Sequence, residues 1–156
     1  MQLRRSQHLQ PRKASRGRRR LKVLLVESDV LDVRLFQETF RALKLAHELK
    51  VASNNEQAMK LLTGKDSQAL LPDLVLIGVS ALIRDGLELL TVIRANAVLR
   101  AIPVIFLASS TDNADVSRAY ELGANSYLTK PADDFVDLIG DLDRFWFRRA
   151  ALPLRR

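Results

Sequence analysis

The side chains that can do chemistry stand in short clusters, each directly after an apolar run. Glu27-Ser28-Asp29 follows Lys22-Val23-Leu24-Leu25-Val26, and Gly78-Val79-Ser80 follows Leu74-Val75-Leu76-Ile77. Ala108-Ser109-Ser110 comes after Val104-Ile105-Phe106-Leu107, and Lys130-Pro131 after Ser126-Tyr127-Leu128-Thr129. Such a set offers carboxylates, hydroxyls and one ammonium. Glu27 can ligate a metal or pair with Lys130, whereas Ser80 needs a general base beside it to act as a nucleophile. The sequence shows no obvious base for it. There is no cysteine, so thiolate chemistry, disulfides and Cys-built metal sites are excluded, and with His8 and His47 the only histidines a His-rich metal site is not expected. No glycine-rich phosphate loop follows the first apolar run, where Glu27-Ser28-Asp29-Val30 stands instead, which argues against a flavin or nucleotide cradle.

Residues scattered over a hundred positions need a scaffold that collects them. Lys22 to Val26 reads as a buried strand, and Ser28 or Asp29 can cap a helix carrying Val33, Phe36, Phe40 and Leu43. Leu49 to Ala52 is a second strand, followed by a helix capped by Asn54 and ended by Gly64. Leu74 to Ile77 is the third, with a loop over 78–85 and a helix around Leu87, Leu90 and Ile93. Val104 to Leu107 is the fourth, and the helix from Asp112 to Leu122 ends with Gly123 at its C′ position. Ser126 to Thr129 is the fifth, and Asp133 opens a last helix. Five strands alternating with five helices predict a doubly wound α/β domain with a parallel sheet covered on both faces. In such a sheet, sites lie at the carboxyl ends of the strands, where the four clusters fall.

The 156 residues, 47% of them apolar, suit one domain with tails. Residues 1–20 carry eight Lys/Arg and no acid, and read as a disordered basic tail. Residues 21–147 form the domain, and 148–156 a basic C-terminal tail. Residues 144–156 add five arginines, while 21–143 hold all eighteen acids against twelve Lys/Arg. The net charge of +7 therefore hides basic ends around an acidic middle. No apolar run is long enough to span a bilayer, and no secretory signal precedes the domain, so a cytoplasmic location is expected. The tail has no aromatic for base stacking, and nothing after Phe147 is long enough for a helix-turn-helix, so sequence-specific reading of nucleic acid is not expected. A non-specific binder acting through residues 1–20 would betray itself by steep salt dependence.

"VLLVESDVLDVRL", "PDLVLIGVSALIRDGLELL", "IPVIFLASS" and "ELGANSYLTKP" resemble the four signature stretches of response-regulator receiver domains, over Leu21 to Phe147. The string from Tyr120 to Ala124 and the ending Phe145-Trp146 are similar to the single-domain regulators that partner bacterial phytochrome kinases. The resemblance implies the flavodoxin-like (βα)5 fold with strand order 2-1-3-4-5. It also implies a mechanism for the intact family. An aspartate at the end of the third strand takes a phosphoryl group from a histidine kinase, Mg²⁺ on first-strand carboxylates relieves the charge, and a lysine holds a phosphoryl oxygen. A Thr or Ser after the fourth strand and an aromatic on the fifth then relay the change.

This sequence departs from that pattern. The acceptor position falls on Gly78, which has no nucleophile. The acidic pair falls on Glu27 and Ser28, with Asp29 next door expected to cap the helix. The hydroxyl switch falls on Ala108, and Ser109, offset by one, is turned away by strand alternation. Lys130, Pro131 and the aromatic Tyr127 remain; by resemblance the Lys130–Pro131 peptide is expected cis. Mg²⁺ binding, through Glu27 alone, is expected to be weak or absent, with no other cofactor. The expected function is a non-enzymatic pseudo-receiver that binds proteins without phosphorylation. Its expected partners are a sensor histidine kinase, with a bacteriophytochrome as one candidate, and a second copy of itself. The consecutive aromatics Phe145, Trp146 and Phe147 cannot all face one core, and by resemblance Tyr120, Leu142, Phe145 and Trp146 form the dimer or partner face, rimmed by Arg144, Arg148 and Arg149. A conventional regulator with a non-standard acceptor is the alternative.

Overall fold

The structure, a computed structural model, describes residues 19–64, 71–80 and 83–153. Residues 1–18, most of the segment read as a basic tail, and 154–156 lie outside the described residues, as do 81–82 in the loop after the third strand. The strands are β1 (Lys22–Val26), β2 (Glu48–Ala52), β3 (Leu74–Val79), β4 (Val104–Ala108) and β5 (Ser126–Thr129). The helices are α1 (Val30–Ala42), α2 (Asn55–Thr63), α3 (Arg84–Ala95), α4 (Asn113–Glu121) and α5 (Val136–Leu142), which runs into a π-helical segment, Asp143–Arg149. The sheet is parallel throughout, in the order β2-β1-β3-β4-β5. This is the expected doubly wound, flavodoxin-like arrangement.

Alternation along the strands divides the core between two faces. Leu24, Val26, Val75, Ile77, Val104 and Phe106 pack with residues of α2, α3 and α4. Val23, Leu25, Leu74, Leu76, Ile105 and Leu107 pack beneath α1 and α5. Both faces are apolar, which is why the strands read as continuous hydrophobic runs.

Each parallel crossover returns its helix against the strand direction, so every helix starts at the carboxyl edge of the sheet. Three of those starts are capped by side chains: Asp29, whose carboxylate accepts from the amides of Leu31 and Asp32, Asn54 and Asp112. The first turns carry Asp32, Glu56, Asp85, Asp115 and Asp137, and the last turns of α1 to α4 carry Arg41, Lys60, Arg94 and Arg118. This order complements the helix dipoles.

Two local expectations change. The last helix starts at Val136 and not at Asp133, because the Asp134 carboxylate takes the Val136 amide at 2.8 Å. Beyond Leu142 the winding widens, with the Ala150 amide reaching the Phe145 carbonyl five residues back. That winding carries Phe147, five residues after Leu142, into the core against Phe40 and His47. Trp146 is left half-buried and Phe145 exposed.

One arginine ties the far edge of the sheet together. Arg94 donates to the carbonyls of Gly123, Arg100 and Ile102 and to Asn125 Oδ1, at 2.7–3.1 Å. Gly123 sits at φ 104°, where a side chain is strained and would also press on Arg94. Arg94→Ala strips a charged donor from several carbonyls at once and is expected to cost about 2 kcal/mol, read as a lower midpoint in urea unfolding.

Candidate functional site

The register brings the sequence clusters to one edge. Val26 pairs with Ile77, Gly78 with Leu107, and Ala108 with both Val79 and Thr129. The Glu27 amide is then held by the Ala52 carbonyl and the Lys130 amide by the Ala108 carbonyl. Glu27 and Lys130 are thereby fixed on either side of Gly78, and both are buried.

Their side chains close a small network. Lys130 Nζ donates to Glu27 Oε1 at 2.7 Å and lies 2.7 Å from Asp32 Oδ2. Ser80 Oγ donates to Glu27 Oε2 at 2.9 Å, and Nζ approaches Ser80 Oγ at 3.4 Å. The Asp29 amide donates to the same Oε2 at 3.2 Å. Asp32 was missing from the sequence reading. Asp29 caps α1, which places Asp32 at its third helical position, directed at the lysine; the D-x-x-D spacing was the available signal. Ser80 also gains the carboxylate neighbour that the sequence did not reveal.

Gly78 lies inside β3, which runs two residues further than expected, and its φ is not in the left-handed region. Glycine is required there for space. A Cβ at position 78 would overlap the Glu27 carboxylate, coming within 2.7 Å of its Cδ. Glutamate is one methylene longer than aspartate, and its carboxylate fills the volume that a side chain on β3 would occupy.

Burial alone would lower the Lys130 pKa. Its hydrogen bonds with Asp32 and Glu27 outweigh that effect and hold the pKa above the ordinary lysine value. A raised lysine pKa gives a stabilisation fully present below the unfolded value, about 10.4, and lost as pH rises through the folded value. The expected outcome is stability from this cluster that is flat across neutral pH and falls only in alkali, a fall that Lys130→Met, with no ammonium to titrate, does not show, measured by urea unfolding at stepped pH.

The pocket does not offer a hard cation what it needs. Glu27 is engaged by Lys130, Ser80 and the Asp29 amide, Asp32 by Lys130, and Asp29 by the α1 amides. The ammonium stands between the carboxylates where a cation would have to sit, so the residues present do not fit Mg²⁺. The remaining cleft, about 560 Å³, runs past Ser28 and Ser80 toward Asn54, Glu56 and Asp85.

At the relay positions, Ala108 is buried and Ser109 is exposed. Tyr127 stacks on Phe106 with ring centroids 6.0 Å apart, and its hydroxyl donates to the Ser110 carbonyl at 3.0 Å. Burial raises the Tyr127 pKa, and Asp115 and Asp112 add to the rise. Lys130–Pro131, expected cis, is trans, the ordinary form of an X–Pro bond; no peptide bond among the described residues is cis. The expected partner face is also corrected. Leu142 is fully buried among the α1 and α5 residues and cannot reach a partner. Tyr120 and Phe145 are exposed, and Trp146 packs edge-on against Phe145. Arg144 and Arg148 are paired with Asp141 and Asp143.

A parallel sheet in this order, with a carboxylate after β1 and a lysine after β5 meeting at the end of β3, defines a receiver-type signalling domain. Comparison with known families agrees: residues 23–140 match the response regulator receiver domain, and the chain belongs to that family. It is 34% identical over 135 residues to response regulator Rcp1 of Synechocystis sp., covering 84% of this chain and 92% of that one. Among solved structures, the phosphorylated cyanobacterial phytochrome response regulator RcpA superposes with a TM-score of 0.78 at 31% identity, covering 87% of this chain and all of that one. The Mn²⁺-bound form of Rcp1 superposes at 0.73 with 33% identity, covering 85% and 98%. The protein is thus a receiver of two-component signalling similar to phytochrome-associated single-domain regulators. No helix of the described residues is long and apolar enough to cross a membrane.

Proposed function

We propose that this chain is a pseudo-receiver whose acceptor pocket is filled from within, and that it acts by binding proteins without being phosphorylated. The observation that carries the reading is the Glu27 carboxylate, seated over Gly78 and engaged by Lys130 and Ser80. RcpA is known phosphorylated and Rcp1 with Mn²⁺; here the acceptor carboxylate is absent and the potential metal ligands are committed to Lys130 and to helix capping. The reading requires no divalent cation and makes the chain a binding module and not a catalyst, acting in the cytoplasm. Likeness to phytochrome response regulators supports a sensor histidine kinase, of the phytochrome class, as its partner.

Tyr120, Phe145 and Trp146 supply the aromatic part of a homodimer face, now without Leu142. Sedimentation equilibrium tests this together with phosphate independence. The expected result is a dimer weakened about tenfold by Phe145→Ser, the effect of losing an interface aromatic, and unchanged by acetyl phosphate with Mg²⁺. A phosphodonor-dependent shift in association contradicts the reading.

One observation favours a second reading, phosphorylation at a non-standard acceptor: Ser80 Oγ lies 2.9 Å from a carboxylate able to take its proton. Acid-stable phosphate on the natural protein identifies that case.

A further inference from the structure

The two outer strands of the sheet, β2 and β5, differ in what they leave open. In the middle of β5 the Tyr127 amide donates to the Tyr120 hydroxyl at 3.1 Å, which closes that edge. In β2 the Glu48 amide donates to the Leu21 carbonyl, and the Ala52 carbonyl accepts from the Glu27 amide, both toward β1. Alternation then turns the amide and carbonyl groups of Leu49 and Val51 away from β1, and nothing among the described residues bonds them. Their side chains are half-buried on the α1 face of the sheet. Glu48 and Lys50 project from the other face, 3.8 Å apart and part-exposed. An unpaired edge of this kind is a template for another strand.

We infer that β2 pairs edge to edge with β2 of a second copy, antiparallel, about a two-fold axis at Leu49. Charge complementarity selects both the occupant and the register. Centred on Leu49, the strand sets Glu48 opposite Lys50 of the other copy, and the symmetry repeats that pair on the other side of the axis. These are the pairs without backbone bonds between them, where side chains lie closest. The two Leu49 residues exchange their free amide and carbonyl groups, and their side chains meet on the α1 face. Centred on Lys50, the lysine would face itself; centred on Val51, it would face Ala52. A shift of one residue would set outward backbone groups against inward ones. Lys22, beside Glu48 on β1, lies one strand in from the edge. A lysine on an edge strand commonly blocks pairing, but here it blocks every register except the one in which it meets a carboxylate. The pairing joins two five-stranded sheets into one continuous sheet. It is separate from the aromatic face described above and does not rest on it.

The test is sedimentation equilibrium of the full-length chain carrying Phe145→Ser, which weakens the aromatic contact and leaves β2 untouched. Self-association is expected, and Lys50→Glu or Glu48→Lys should each weaken it about tenfold, because each sets like charges opposite one another at two symmetric positions. An equimolar mixture of these two variants should associate as tightly as the parent, since the acidic strand of one then faces the basic strand of the other. Both substitutions also break the Glu48–Lys50 pair within the chain. Mixing cannot restore that pair, so recovery reports contact between copies alone. Association unchanged by either substitution overturns the proposal, as does a mixture no tighter than the separate variants. Absence of self-association in the parent overturns it too, and leaves the β2 edge to an extended segment of another protein.

Discussion

Lys130→Met is expected to lower stability by about 3–5 kcal/mol, the cost of removing one partner from a buried ion pair. Among the described residues the lysine is the only cation touching Glu27, which is 3% exposed, and it also neutralises Asp32. Methionine keeps much of the volume and none of the charge, so two carboxylates face each other across an apolar gap. The structure can escape only by protonating one of them, so the loss should shrink as pH falls. Urea unfolding at neutral and acid pH reads both effects. A loss below about 1 kcal/mol at neutral pH would mean that water reaches the cluster and screens it as it does a surface pair.

Gly78→Asp should fold poorly and should not restore a working receiver by itself. Its Cβ would overlap the Glu27 carboxylate, and its own carboxylate would meet a like charge. Overpacking alone costs about 1–3 kcal/mol, and repulsion adds to it. The cost belongs to the pair of positions. Combining Gly78→Asp with Glu27→Asp withdraws the first carboxylate by one methylene and is expected to return most of the lost stability. The two substitutions should therefore be strongly non-additive. Additive effects would show that the Glu27 side chain does not occupy the acceptor volume.

The fold was legible because strand and helix signals agreed over the whole domain. Apolar runs of four or five residues alternated with capped helical patterns, and Asp29, Asn54, Asp112 and Gly123 mark helix ends in the structure as they do in the sequence. The last helix was legible only in part. A period of 3.6 residues puts Phe145, Trp146 and Phe147 on different faces, but it does not reveal the π-helical winding that buries Phe147 behind Leu142. The altered pocket positions were visible one at a time. Their coupling was hidden, because sequence shows that Glu27 is long and Gly78 is empty without showing that one fills the other. Asp32 was hidden for a similar reason: its approach to Lys130 joins α1 to the end of β5, nearly a hundred residues apart.

The central claim is that the pocket is occupied by the protein's own carboxylate and takes no phosphoryl group. It is tested most directly by the intact mass of the natural, full-length protein after incubation with acetyl phosphate and Mg²⁺, measured before and after acid treatment. The account predicts an unmodified mass throughout. Gain of one phosphoryl group contradicts it, and the response to acid separates a carboxylate acceptor, whose phosphate is lost, from Ser80, whose phosphate survives.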